Sequence, residues 1–161
     1  MDIVSFEDIG DAVWQEAVNS SDDAWFWHTR SYANFLLELN KERGVQDISF
    51  AFVDKSHVLA VCPLYLDEVA GVPQLGCGDE PVPFPALACT LLPPARARTQ
   101  ELYFKELARL AEFHGAGHTR IRISPMSRNH IASVLRPFNP LARYGFLDLP
   151  VSTQVIDLRL E

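Results

Sequence analysis

The chain has 161 residues, 48% of them apolar and 22% charged, and a formal net charge of −7. A chain of this size buries about 70% of the surface that its unfolded form exposes. Its ordinary composition excludes a disordered, collagen-like or disulfide-stapled protein. No apolar run approaches the ~18 residues of a membrane span, so no transmembrane segment is expected, and the acidic balance argues against a general nucleic-acid binder such as a DNA-binding protein.

Met1–Asp11 is acidic and lacks the basic, apolar and small-residue succession of a secretory signal. Ser5-Phe6-Glu7-Asp8 has the form of a helix N-cap, and Ile9, Val13, Trp14 and Ala17 follow at helical spacing, which predicts a helix over 6–19. The aromatic stretch Ala24–His28 reads as a short strand. Thr29 then caps a second helix whose apolar face is Tyr32, Phe35, Leu36 and Leu39. Lys41 and Arg43 suit its last turn and Gly44 its end.

Ile48–Val53 and Val58–Leu66, separated by Asp54-Lys55-Ser56-His57, predict a β-hairpin. Both runs are apolar on both faces, so both faces should be covered. Val72–Leu75 extends the sheet. Gly76–Pro94, with Pro81, Pro83, Pro85, Pro93 and Pro94, reads as a long irregular loop of the kind that carries function. Thr99 is the expected cap of a third helix bearing Tyr103, Phe104, Leu107, Leu110 and Ala111 and stopping at Gly115. Thr119–Ser124 alternates, with Ile121 and Ile123 on one face and Arg120, Arg122 and Ser124 on the other. A short helix over 127–135 and a last strand over Thr153–Leu158 complete an α-α-β-β-β-α-β-α-β order. The class is α/β (α+β), with one domain over 1–161.

Charge is uneven along the chain. Residues 1–80 hold 15 acidic and four basic side chains, whereas residues 81–161 hold six acidic and ten basic ones, nine of them Arg. Arg120 and Arg122 are either a solvated or salt-bridged edge or one wall of a ligand groove. Arg96 and Arg98 precede the expected third helix, where they can meet an anion.

Several chemistries find no support. His114 and His118 are four apart, but Gly115 and Gly117 preclude a shared helical face, so no metal site is expected. Gly-x-Ser-x-Gly is absent. Cys62, Cys77 and Cys89 are an odd number with no Cys-x-x-Cys pair, which fits reduced thiols in the cytoplasm. Cys62 reads as a small core hydrophobe, and Cys77, between two glycines, as the most exposed thiol. Gly115-Ala-Gly117 lies at the wrong end of a helix for phosphate, and Gln74-Leu-Gly76-Cys-Gly78 has no helix after it. Trp25, Trp27 and Tyr32 read first as core aromatics.

The run Phe26-Trp27-His28-Thr29-Arg30-Ser31-Tyr32-Ala33 resembles the start of the second helix in Fem-type peptidoglycan-bridge aminoacyltransferases and related GNAT-fold proteins. So do the strand pair Phe50–Asp54 and Val58–Leu66 with Pro63-Leu64 at its end, the Gly76–Pro85 loop and the long helix after it. The Arg-rich strand Arg120–Pro125, Tyr144-Gly145-Phe146 and the closing Ser152–Leu158 continue the resemblance over nearly the whole chain. It implies a GNAT-like acyltransferase fold, a central mixed and mostly antiparallel sheet flanked by helices. The resemblance further implies the N-terminal half of a tandem GNAT protein, with a second GNAT-like half as its partner.

The implied activity is an acyl or aminoacyl transferase acting on a small-molecule or glycan-linked amine acceptor, in cell-envelope or peptidoglycan biosynthesis. Acyl-CoA or aminoacyl-tRNA would be the donor in the complete protein, with no cofactor bound by this half alone and this half alone inactive. Catalysis would rest on positioning and on strand N–H groups facing an oxyanion; no side chain in this half is a credible general base. The acceptor side implied is Arg30, Tyr32, Asn34, Asp79 and Glu80, the last two suited to a substrate ammonium. Two departures stand out. Asn34 replaces a phosphate-binding Lys of the family, and the Gln/Arg-x-x-Gly-x-Gly/Ala loop of acetyl-CoA-dependent enzymes is absent. A stand-alone CoA-dependent N-acetyltransferase and a non-catalytic GNAT domain for dimerisation or partner docking remain as alternatives.

Overall fold

A computed structural model of the chain describes residues 1–123 and 141–147. The expected helix over 127–135 and the expected strand over Thr153–Leu158 lie outside the described residues, as do Ser124 and Pro125.

The chain opens with a strand that the sequence pattern does not announce, β1 (Asp2–Ser5), which pairs antiparallel with β3 (Phe50–Asp54) in the register Ile3↔Phe52. Ile3 remains exposed, so the strand rests on backbone pairing and carries no apolar alternation. Ser5 ends it and caps α1 (Phe6–Ile9), its Oγ accepting from the Asp8 N–H at 3.2 Å and donating to the Asp8 carboxylate at 2.6 Å. The expected continuous helix over 6–19 is broken at Gly10, whose φ of +78° leaves the helical region. Its second part is α2 (Asp11–Asn19).

Ala24–His28 is not a strand. Phe26–His28 forms a 3₁₀ turn because the His28 ring gathers the segment onto itself. Its Nδ1 accepts from the Trp25 N–H at 2.9 Å, and its Nε2 donates to the Phe84 carbonyl at 2.8 Å. The His28 carbonyl in turn accepts from the Trp14 indole at 2.8 Å. Thr29 caps α3 (Arg30–Leu39), and Gly44 closes the following Lys41–Arg43 3₁₀ turn in the left-handed region.

After β2 (Gln46–Asp47) and β3 comes β4 (His57–Cys62). The expected run Val58–Leu66 is two strands, because Pro63 has no N–H to continue a ladder. The chain leaves β4 there and re-enters as β5 (Tyr65–Val69), which pairs with β2 and β6 (Val72–Leu75) in a second sheet, β2-β5-β6, so Val72–Leu75 does not extend the sheet of β3 and β4. Two short strands, β7 (Val82–Pro83) and β8 (Ala86–Leu87), occupy the expected loop.

The long helix α4 spans Pro93–His114, so it starts at Pro93 rather than at Thr99. Prolines are tolerated in a first turn, where the N–H has no intrahelical partner in any case. Thr99 is buried within the helix and its hydroxyl donates back to the Ala95 carbonyl at 2.9 Å. Arg96 does not wait for an anion at the helix start: its guanidinium is bound to the buried Asp23 carboxylate and, at 3.2 Å, to the Ala88 carbonyl. Gly115 ends α4 in the left-handed region, and β9 (Ile121–Arg122) follows.

The main sheet runs β1-β3-β4-β8, all antiparallel, and it is covered on both faces. Ala51 and Val61 point to one side and pack with Trp14 and Val18 of α2. Phe50, Phe52, Ala60 and Cys62 point to the other and pack with Ala33 and Leu36 of α3 and Tyr103 and Leu107 of α4. This period-two division of β3 and β4 between two cores is why both runs are apolar throughout. The class is mixed α+β. Residues 141–147 lie on α4, with Tyr144 stacked on Phe104 at 3.9 Å. No helix among the described residues is long and apolar enough to cross a membrane.

Candidate functional site

The segment before β9 and β9 itself bind both sides of the base of the glycine loop. Leu75 bridges Thr119 in parallel, and β7 pairs with β9 in parallel in the register Val82↔Ile121. The Val82 N–H donates to the Arg120 carbonyl at 2.9 Å and the Phe84 N–H to the Arg122 carbonyl at 2.7 Å. Residues 76–81 therefore bulge away from a strand that continues beneath them. Arg120 and Arg122, two apart on that strand, reach up to the loop: Arg120 meets Asp79 at 3.1 Å and Arg122 meets Glu80 at 3.2 Å.

A buried carboxylate holds the loop from the other side. Asp67 is inward on β5, and its side chain is 0% exposed. It accepts from the Arg43 guanidinium, from the Gly78 N–H at 2.7 Å and from the Glu68 N–H at 2.8 Å. Gly78 has φ +60°, which favours glycine, and a Cβ there would stand 2.7 Å from Arg43 Nη1, so the guanidinium would have to shift to admit a side chain. Gln74, also buried, donates to the Gly78 carbonyl at 3.0 Å. Beside the loop lies an open groove of about 410 Å³, lined by Arg43, Glu68, Gln74, Asp79, His118 and Arg120, among others.

The sequence-derived site residues fall into two groups. Tyr32, Asp79 and Glu80 face the loop region. Burial raises the Tyr32 hydroxyl pKa above its ordinary value and the Glu80 charge adds to this, while Arg122 opposes. Arg122 also lies 5.0 Å from the Trp27 ring centroid, so loop, strand and aromatic turn meet there. Arg30 and Asn34 turn elsewhere. Arg30 binds Asp47 at 2.5 Å, sits 3.5 Å over the Phe6 ring and donates to Asn34 Oδ1 at 3.4 Å. Its side chain is 15% exposed, which makes it a tie between α3, α1 and β2.

Cys77 is not the most exposed thiol: it is buried, and Cys89 is the exposed cysteine. Burial first, and then the Asp67 charge, push the Cys77 thiol above its ordinary pKa, the opposite of what a nucleophilic thiolate needs. Burial drives Cys62 further in the same direction. Among the described residues no group of three or more His, Cys, Asp or Glu stands together as a metal site.

Sequence reading did not single out Asp67 or the roles of Gln74 and Arg43. A usable signal existed. Tyr65 and Asp67 share one face of β5 by period two, so the acid at that position needs a partner inside, and Gly78 is the small residue that lets a guanidinium approach. No model of a known family, no characterised protein and no solved structure matches the chain.

Proposed function

We propose that the chain is a GNAT-like, N-terminal lobe of an acyl or aminoacyl transferase and that it presents an amine acceptor to a donor handled by a second GNAT-like lobe. One observation carries this reading. The element order is a strand, helices, the antiparallel pair β3-β4, the hairpin β5-β6 in a second sheet with β2, the short strands β7 and β8, a long helix, and then β9, paired in parallel with β7. That order supports the resemblance noted in the sequence, and the groove and the polar loop lie between the β5-β6 hairpin and the segment leading into β9.

The residues present do not fit the diphosphate of an activated donor at the start of α4. Pro93 and Pro94 remove N–H groups from its first turn, and Arg96 is committed to Asp23. The contribution of this lobe is therefore to hold and orient an acceptor, with Asp79 and Glu80 suited to an ammonium. A role in cell-envelope or peptidoglycan assembly and a cytoplasmic location belong to the same proposal.

The test is acyl transfer by the full gene product, supplied with labelled acetyl-CoA in one arm and charged tRNA in another, against pooled amino sugars and amine-bearing peptides. Mass spectrometry should find an N-acylated acceptor in one arm. No transfer from either donor overturns the proposal, and transfer by residues 1–161 alone favours a stand-alone N-acetyltransferase. A second reading, a non-catalytic GNAT-like docking domain, is favoured by the exposed aromatic ridge of Phe26 and Phe35 with Leu39 beyond it. A monomer in light scattering at high concentration counts against self-association through that ridge.

A further inference from the structure

We infer that the groove beside the glycine loop binds a small amine that also carries an anionic group, a carboxylate or a phosphate. The inference rests on the proposed amine acceptor and narrows its chemistry.

The groove, about 410 Å³, is the size of a small-molecule site. Its guanidiniums are not equivalent. Arg43 is held from behind by Asp67, whose carboxylate is fully buried, and from the side by Asn40 Oδ1 at 3.1 Å. Gly78 provides the space in which it lies. A guanidinium carries five N–H donors in a planar fork. Asp67 and Asn40 engage only part of that fork, and the side chain remains 39% exposed at the groove. A buried partner that orients a ligand-facing group is the arrangement that binding sites use to fix geometry in advance.

Arg120 is the adjustable member. Its partner Asp79 is 99% exposed, so the pair is held weakly and an incoming anion can take Asp79's place. The His118 ring forms no hydrogen bond within the described residues and adds a further donor. Once released, Asp79 is a carboxylate without a partner. Glu68, also lining the groove, has no ion pair among the described residues. A simple anion would satisfy Arg43 and Arg120 but leave the carboxylates of Asp79 and Glu68 at the groove unused. A simple amine would have Glu68 alone, with Asp79 still paired to Arg120. A ligand bearing both charges replaces the Arg120–Asp79 pair at both ends, with the anion on Arg43 and Arg120 and the ammonium on Asp79 and Glu68.

The experiment is calorimetric and NMR titration of the protein with 2-aminoethyl phosphate and 4-aminobutanoate, against ethyl phosphate, butanoate and butylamine as singly charged controls. At least one doubly charged probe should bind saturably, with a Kd on the order of 1 mM, and every control at least about tenfold more weakly. The stronger of the two probes identifies phosphate or carboxylate as the anion. Arg120→Gln and Glu68→Gln, both at surface positions, should each weaken that binding about tenfold while the thermal melt is unchanged. No saturable binding of either probe, controls that bind equally well, or variants without effect overturn the inference. The titration needs no donor. Absent acyl transfer with binding retained removes only the proposed function, and transfer retained without binding removes only this inference.

Discussion

Replacing Gly78 by Ala tests whether the Asp67–Arg43 lock organises the loop. Gly71 provides the control, since it has φ +79° with nothing within 4 Å of an added Cβ. Gly78 has φ +60°, but its Cβ would stand 2.7 Å from Arg43 Nη1. Left-handed backbone costs an L-residue about 1–2 kcal/mol, partly offset by about 0.4–1 kcal/mol from a stiffer unfolded chain. Gly71→Ala should therefore lose ~1 kcal/mol.

Gly78→Ala carries the same backbone term and also displaces Arg43 from a carboxylate that is fully buried. Stripping a partner from a buried ion pair costs about 3–5 kcal/mol. Here Asp67 keeps the Gly78 and Glu68 N–H groups, so ~2 kcal/mol is the reasonable share. The two variants should differ by about 2 kcal/mol, or roughly 4–8 °C in Tm for a chain of this length. Urea and thermal unfolding read both. In an Arg43→Ala background the clash is gone, and Gly78→Ala should fall to the level of Gly71→Ala, a non-additivity of about 2 kcal/mol. Equal losses for the two glycines, or full additivity with Arg43→Ala, would refute the lock.

Three further outcomes are expected. Burial lowers the His28 pKa below its ordinary 6.5 and outweighs the opposing pull of the Phe84 and Trp25 carbonyls. Below pH 6.5 the unfolded chain then binds a proton that the folded chain refuses, so stability falls as pH drops from 6.5 toward the folded-state pKa. Urea midpoints at a series of pH values should show this slope, and His28→Leu should flatten that part of it while destabilising the fold at every pH. Ala70 lies at φ +52° in the turn between β5 and β6; Ala70→Gly should stabilise by ~1 kcal/mol, net of glycine's greater unfolded-state entropy, as read by the urea midpoint. In the native protein a thiol reagent should label one cysteine rapidly, Cys89, with Cys62 and Cys77 reacting only on unfolding. Rapid labelling of Cys77 would show that the loop opens readily.

The sequence by itself determined most of what depends on local chemistry. The caps at Ser5 and Thr29, the hairpin of β3 and β4, the burial of those strands on both faces and the stop at Gly115 all follow from residues a few positions apart. Local reading failed where a distant partner decides. Aromatic residues at 24–28 have strand propensity, yet the Phe84 carbonyl and Trp14 hold them in a turn. Pro93 and Pro94 read as loop residues until they open a helix. β1 carries no pattern because only backbone pairing to β3 makes it a strand.

The candidate site divides in the same way. Asp79, Glu80, Arg120 and Arg122 are legible as charges on a loop and a strand. Their pairing depends on the strand passing beneath the loop, across more than forty positions of sequence. Only the tertiary structure sends Arg30 to Asp47, buries Cys77, and sets Asp67 behind Arg43. The physical reason is one of range. Capping, turn chemistry and periodicity act over a few residues, whereas a buried charge is stable only beside its partner, and chain topology alone determines which residue that is.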